Sequence, residues 1–292
     1  MAQDLRIVFL GTSAGTPSRE RNVSAVAMII DGSLLLFDCG EGTQHQFLRA
    51  PVRSGAIDAI FITHVHGDHI YGVPGLLASL SMNGRTRPLA IIGPPGVRMY
   101  LEGVLATTQH NPQFPIEYAE LPYRGRGFTV TAGPLDHSVE VFGYCIVEDD
   151  RPGKFDPDQA RALGFEPGPQ FAELVRSGDP RVVGPSRRGR RIAYLTDTRP
   201  CASGVELARD ADVVIHESTY AEEMAVEANE RLHSTASGAA RVAREANASR
   251  LILTHFSPRY GEVATLVDEA RKVFPNTDAA YDFAVFDVDS NH

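Results

Sequence analysis

The chain has 292 residues, 43% hydrophobic and 22% charged, which is enough for one large domain whose core needs no disulfide support. Its net charge of −9 excludes indiscriminate nucleic-acid binding, which depends on Lys and Arg set against phosphates. Cys39, Cys145 and Cys201 are odd in number and far apart, which excludes a disulfide framework and a thiolate metal cage and leads us to expect a reducing cytoplasm. The opening "MAQDLRIVFLGTSAGT" lacks the basic start of a signal peptide, and no run approaches the roughly 20 apolar residues of a membrane span, so neither secretion nor insertion is expected.

In chain order, short apolar and β-branched runs predict strands at "LRIVFL", "AVAMII", "LLLFD", "IDAIFIT", "LAIIG", "GFTVTA", "VFGYCIV", "RIAYLTD", "DVVIHE", "RLILTH" and "AAYDFAVFDV". Helical patterns lie between them. "STASGAARVAREA" opens on Ser and Thr, good N-caps, and "EVATLVDEARKVF" sets Val263, Leu266, Val267, Ala270, Val273 and Phe274 at helical spacing. Strands and helices mixed throughout, with no composition break and no internal repeat, predict a single α/β domain over 1–292. Residues 148–190 depart from this rhythm, with repeated Pro and Gly, two short helical patterns and no convincing strand. The stretch 151–191 also holds nine Lys or Arg against five acids, an island of +4 in an acidic chain.

The stretch "THVHGDHIYG" concentrates His64, His66, Asp68 and His69 at the exit of a predicted strand. Extended geometry points His64 and His66 the same way, and Gly67 lets the backbone turn before Asp68 and His69. Imidazoles with a carboxylate suit zinc or a similar borderline metal. Four side chains so close cannot easily all reach one ion, which favours two ions, each completed from elsewhere. His137, Asp197 and His255 follow or end other predicted strands, at the sheet edge where open α/β folds gather ligands, and Asp197 can bridge as a carboxylate. Such a pair can generate hydroxide near neutral pH and stabilise a phosphoryl displacement. His45, His110 and His292 have no partner pattern and read as surface residues.

The segments "FLGTSAGTPSRERN", "FDCGEGTQHQ", "ITHVHGDHIYGVPGLL", "HSVEVFGYCIVE", "GFEPGPQFAELVRSG", "LTDT", "VIHEST", "HST" and "LILTHFSPRY" together span essentially the whole chain. HxHxDH with a later His, Asp and His resembles the metallo-β-lactamase superfamily, and the flanking segments resemble its ribonuclease Z family, endonucleases that trim the 3′ trailer from precursor tRNA. The resemblance implies an αββα sandwich with an inserted tRNA-binding arm at about 148–190. It implies two Zn²⁺ per chain, with Mn²⁺ or Fe²⁺ as alternatives: His64, His66 and His137 on one, Asp68, His69 and His255 on the other, and Asp197 shared. The family's HEAT, HST and PxKxRN loops, which face the RNA near the cut, correspond to Glu217 in "HEST", His233 in "HST" and "PSRERN" from Pro17 to Asn22. A homodimer in which one subunit's arm holds RNA cut in the other is also implied. Three positions depart from the pattern: Ser218 for the alanine of HEAT, Arg19 for the lysine of PxKxRN, and Cys145 for an arginine after "GY".

The expected reaction is hydrolysis of an RNA phosphodiester, leaving a 3′-hydroxyl on the tRNA and a 5′-phosphate on the trailer. Asp68 either orients and deprotonates the water or is a ligand only. His233, its ring held by Glu217, either protonates the leaving oxygen or merely opens a helix. Arg21 and Asn22 read as RNA contacts or plain surface residues, and Lys154, Arg187, Arg188, Arg190 and Arg191 as phosphate binders or a solvated charge run. "GTSAGTPS" lacks the Lys of a P-loop and reads as a turn beside the site. Competing functions are a di-zinc hydrolase of a small ester, which needs no basic arm, a redox di-iron protein, which needs a flavin partner domain, and a non-catalytic RNA-binding module, against which Asp68, His233 and Glu217 argue.

Overall fold

A computed structural model describes residues 5–289 and sorts the strands into two sheets of seven. In chain order the elements are β1 (Leu5–Gly11), β2 (Ala25–Ile30), β3 (Ser33–Phe37), α1 (Thr43–Phe47), β4 (Ile57–Phe61), α2 (Gly67–Ile70), α3 (Gly72–Met82), β5 (Leu89–Ile92), α4 (Pro95–Thr108), β6 (Ile116–Tyr118), β7 (Tyr123–Gly125), β8 (Phe128–Pro134) and β9 (Phe142–Glu148). The remainder is α5 (Pro157–Ala162), α6 (Pro169–Ser177), β10 (Arg191–Leu195), α7 (Ala202–Leu207), β11 (Val213–Glu217), α8 (Ala225–Glu230), α9 (Ala236–Glu245), β12 (Leu251–Thr254), α10 (Ala264–Arg271), β13 (Thr277–Ala279) and β14 (Val285–Asp287). The sheet orders are β14-β1-β2-β3-β4-β5-β6 and β13-β12-β11-β10-β9-β8-β7. The first is antiparallel from β14 to β3 and parallel from β3 to β6. The second is antiparallel from β7 to β10 and parallel from β10 to β13, so both sheets follow one pairing scheme with no repeat in the sequence.

Strands covered on both faces explain the unbroken apolar runs. Along β1, Ile7 and Phe9 enter the core between the sheets, while Val8 and Leu10 enter the layer beneath α3 and α4. The second sheet is covered on its outer face by α7, α9 and α10. Helix α9 approaches closely because Ala236, Ala239, Ala240 and Ala243 form its buried face, and the expected N-cap is Thr235, whose hydroxyl accepts from Gly238 N at 3.0 Å. Full burial of each large apolar side chain is worth about 1.5–3 kcal/mol. Two buried tyrosines join the sheets by hydrogen bonds: Tyr144 on β9 donates to Ile62 O at 2.7 Å, and Tyr194 on β10 donates to Asp38 at 3.0 Å.

The predicted strand "AAYDFAVFDV" divides in two. Phe283 takes a left-handed φ of 71°, and the chain turns from β13 in the second sheet to β14 in the first. The half-buried Asp282 fixes this turn by accepting from Thr12 Oγ1, Asn22 N and Gln46 Nε2. Strands β6 and β7 are three residues each, too short for periodicity to reveal. His45 is exposed, whereas the Nε2 of His110 is buried without a partner, which corrects the surface reading of that residue; His292 lies outside the described residues.

Between β9 and β10 the chain leaves both sheets. Isolated bridges pair Arg151 with Arg187 and Phe155 with Val183, and α5 and α6 enclose a small core of Ala160, Leu174, Val182 and Val183 against Phe155, Phe165 and Phe171. Much of the excursion's positive charge is matched locally: Arg161 pairs with Asp158, Arg176 with Glu173, Arg181 with Asp179 and Arg188 with Asp212. Arg190 corrects the reading of the 187–191 run as a surface charge cluster. It is 5% exposed and forms a two-pronged pair with the equally buried Glu148, both contacts 2.6 Å, at the root of the excursion. Glu148→Ala would leave Arg190 buried without its counter-ion, so it should cost about 3–5 kcal/mol. The double change Glu148→Leu with Arg190→Met should recover most of that loss, as read from urea unfolding midpoints.

Candidate metal centre

The site lies along the C-terminal ends of strands from both sheets. His64 follows β4, Asp197 follows β10, His255 follows β12, Glu217 ends β11 and His137 follows β8. Three residues at these ends hold left-handed backbone: Asp38 at φ 57°, Asp197 at 50° and His255 at 56°. For a residue with a Cβ this costs roughly 1–2 kcal/mol each, and such strain concentrates where side chains must be aimed at one point.

Seven donors form two groups that share Asp197. In the first, His64 Nε2 lies 3.3 Å and His137 Nε2 3.8 Å from Asp197 Oδ2, and His66 turns its Nδ1 toward His64 Nε2 at 3.0 Å and His137 Nε2 at 3.4 Å. In the second, His69 Nε2 is 3.3 Å from Asp68 Oδ2 and 3.4 Å from Asp197 Oδ2, and His255 Nε2 is 2.9 Å from Asp197 Oδ1 and 3.5 Å from Asp68 Oδ2. Although carboxylate oxygens stand this close, Nε2 of His69 and Nε2 of His255 are buried and make no hydrogen bond, because the oxygens lie off the direction a ring N–H would take. Orphaned nitrogens facing shared carboxylates are the arrangement a divalent cation would satisfy, and imidazole with carboxylate is a borderline-metal donor set.

Residues outside the recognised motif set the imidazole tautomers. Asp38, fully buried, accepts from Thr63 N at 2.8 Å, from Tyr194 OH and from the Thr63 hydroxyl at 3.0 Å, and it faces His69 Nδ1 at 2.8 Å. Since the Thr63 hydroxyl donates to Asp38, it accepts from His64 Nδ1 at 3.0 Å. Likewise the Thr219 hydroxyl donates to Glu217 at 2.6 Å and accepts from His255 Nδ1 at 3.0 Å. In each case the proton is on Nδ1 and Nε2 is left for the centre. Sequence reasoning missed Asp38, Thr63 and Thr219 as supports; their signal was each residue's adjacency to a strand end. The turn "GTSAGT" lies beside the site as expected, with Gly15 N donating to Asp68 Oδ2 at 2.8 Å.

Charge follows the same plan. Burial, with the neighbouring His69 charge, lowers His64 to about 4, and burial lowers His137. Burial is the largest influence on His69 and His255 and opposes their charge, but the surrounding carboxylates together outweigh it: Asp197, Asp38 and Asp68 hold His69 well above the usual imidazole range, and Asp197 with Asp68 holds His255 up to about 10. Against their own burial, Asp68 and Asp197 are held below the carboxylate range by the charges on His69 and His255.

Beside the donors, His233 Nδ1 meets Glu217 Oε1 at 2.9 Å. Glu217 is fully buried and also accepts from Thr198 N at 2.7 Å and Ser234 N at 3.0 Å, so the "LTDT", "HEST" and "HST" segments converge on one carboxylate. Burial opposes charge on His233, yet Glu217 raises it, while His233 lowers Glu217 against burial. Ser218 is buried and donates to Thr254 O at 3.2 Å. A cleft of about 410 Å³ opens over His66, Asp68, His137, Asp197, His233 and His255.

Most of the remaining singled-out residues have structural partners. Arg21 donates to Tyr260 O at 2.8 Å and Gly261 O at 2.9 Å and lies over Phe256, and Asn22 Nδ2 donates to Glu41 O at 2.9 Å, so both tie loops together at the rim. Arg188 is bound to Asp212 at 2.7 and 3.0 Å, whereas Lys154 is exposed and the Arg187 guanidinium donates to Pro152 O at 3.4 Å. Cys145 is fully buried in β9, opposite Ala193, so the departure at this position alters packing inside the sheet.

The chain has relatives among known proteins, both in sequence and in fold. Residues 5–114 match the family model described as "Anti-Pycsar protein Apyc1" and residues 180–256 the "Beta-lactamase superfamily domain". The chain is 46% identical over 306 residues to a Ribonuclease Z of Cyanothece sp., covering 97% of this chain and 96% of that one, and 45% identical over 304 residues to a Ribonuclease Z of Geobacillus kaustophilus, covering 97% and 99%. The crystal structure of human tRNase Z, short form, aligns with a TM-score of 0.72 at 29% identity, covering 97% of this chain and 99% of that one. With likeness at this level sustained over nearly the full length of each relative, the chain belongs to the ribonuclease Z family of the metallo-β-lactamase superfamily.

Proposed function

We propose that the chain is a zinc-dependent endoribonuclease that removes the 3′ trailer from precursor tRNA, leaving a tRNA 3′-hydroxyl and a trailer 5′-phosphate. The observation that carries the reading is the pair of donor groups joined through Asp197, with His233 and Glu217 at their edge. His64, His66 and His137 would hold one zinc, Asp68, His69 and His255 the other, and Asp197 both. When bound, such a pair lowers the pKa of water and neutralises charge building on the phosphate.

The chain's own groups supply the rest. Asp68 orients the attacking water and takes its proton, its carboxylate steadied by Gly15 N. As the water oxygen bonds to phosphorus, the bond to the 3′-oxygen breaks, and His233 gives that oxygen a proton. The raised position of His233 keeps it protonated for this duty, and Glu217 holds the ring while balancing its charge. Residues 148–190 form the arm that attracts the tRNA backbone, with Lys154, Arg187 and Arg188 as its phosphate contacts; of these, Lys154 and Arg187 have no carboxylate partner among the described residues. A homodimer in which one subunit's arm holds RNA cut in the other, working in the cytoplasm, completes the reading. Its support is the family kinship, three free cysteines and the absence, among the described residues, of a helix long and apolar enough to cross a membrane.

Incubation with precursor tRNA and with an aryl phosphodiester, each with and without chelator, tests the reading. Chelator should abolish both reactions, and hydrolysis of the aryl ester with intact precursor would turn the assignment toward a small-ester hydrolase. Elemental analysis should find two zinc ions per chain in active protein. Because His69 and His255 both rest above neutral pH when metal-free, zinc must displace a proton from each, so binding should weaken as pH falls; calorimetry in buffers of different ionisation enthalpy should show that release. His233→Ala should lose about 10²–10⁴-fold in single-turnover cleavage while precursor tRNA affinity is retained in a filter-binding assay. Lys154→Ala with Arg187→Ala should weaken precursor binding, flatten its log–log salt slope by about 0.7–0.9 per lost contact, and spare the aryl ester.

A further inference from the structure

His233 forms part of the wall of two clefts. One is the metal cleft; the other, of about 240 Å³, is lined by Arg199, Asn229, Thr235 and Arg241, with Ala225 at its mouth and no carboxylate in its lining. Arg199 is braced by Asp136, Nε to Oδ2 at 2.7 Å, and by Asn229 Oδ1 at 3.3 Å, which fixes its guanidinium beside His233. Arg241 projects from α9, 3.6 Å from Glu222 Oε1 and 43% exposed, so its fork is only loosely engaged. The Thr235 hydroxyl is engaged, donating to Glu222 Oε2 at 2.6 Å and accepting from Gly238 N, so the cleft's ligand groups are two guanidiniums and the Asn229 amide, which suit a nucleotide: planar donors for a phosphate, and an amide whose NH₂ donates and whose oxygen keeps a second lone pair for a base edge.

We infer that this second cleft seats the last retained nucleotide of the RNA, the one whose 3′-oxygen leaves. The inference rests on the proposed reaction. If His233 protonates the leaving oxygen, the ribose carrying that oxygen lies against His233, on the far side of the scissile phosphate from the attacking water. The cleft that continues from His233 away from the metals is therefore on that nucleotide's side. Arg199 and Arg241 then bind the phosphate on its 5′ side and Asn229 faces its base, so these are positioning residues that never touch the reacting atoms.

The test uses the zinc-loaded enzyme, Ala225→Trp to fill the cleft and Arg241→Ala to remove a contact. Substrates are precursor tRNA, the same precursor with an abasic site at the last retained nucleotide, and bis(p-nitrophenyl) phosphate. Both variants should lower kcat/KM on the normal precursor by about 10- to 100-fold, the range of one lost base or phosphate contact, and leave the aryl diester unchanged. The abasic site should slow the wild type comparably yet add little in Ala225→Trp, because the two changes remove the same contact. Wild-type rates in both variants, multiplicative losses in the combination, or equal loss on the aryl diester would each overturn the inference while the nuclease reading stands. Wild-type protein that hydrolyses the aryl diester but leaves the precursor intact would overturn the nuclease reading itself, and this inference with it.

Discussion

The buried carboxylate of Asp38 is the constraint on which the rest of the centre depends. It lies at the end of β3 with no access to solvent, and a charge there is tolerable only if every lone pair is used. Thr63, Tyr194 and His69 use them, and each consequence is different. Through the Thr63 hydroxyl the carboxylate sets the His64 tautomer for one donor group; directly, it sets His69 for the other. Through Tyr194 it anchors the second sheet to the first immediately beneath the site. One anion thus holds the register of the two sheets and the aim of two imidazoles, which is why its backbone is held at a strained φ.

Much of this was legible in the sequence where one residue type has few other uses. Four donors within six positions have little structural purpose, and the apolar runs of strands buried on both faces stand out without alternation. The supports were harder to see. Asp38, Thr63 and Thr219 are ordinary residues whose meaning depends on which strand lies opposite, and a single chain carries no pairing information. The 279–288 run misled for a related reason: its apolar character is real on both sides of Phe283, but the turn between the halves is made by Asp282 bonding to residues some 240 to 270 positions earlier. Charge was the other blind spot. A count of arginines shows an excess without showing that Arg190 is spent on Glu148 or Arg188 on Asp212.

On the proposed reading, chemistry and recognition occupy different dielectric environments. At the donors, carboxylates and imidazoles are buried together, so their mutual fields are strong and their protonation is set by neighbours within 4 Å. Along the excursion, apart from Arg151 and Arg190 at its root, the cationic groups stand in water, mostly beside an acid, where each interaction is weak and salt-sensitive. His233 stands between these regimes, with one nitrogen on a buried carboxylate and part of its ring at the cleft, where a proton can be held against bulk solvent and still be delivered.

The shared pairing scheme of the two sheets bears on how the protein is made. His64, His66, Asp68 and His69 belong to the first sheet's half of the chain, whereas Asp197, His233 and His255 belong to the second, and β14 returns to the first sheet only after residue 284. The first sheet's part of the chain thus carries four of the seven donors, and the second sheet's part adds His137, Asp197 and His255. The donor set is therefore complete only once the segment carrying His255 has been made and the two sheets have closed face to face.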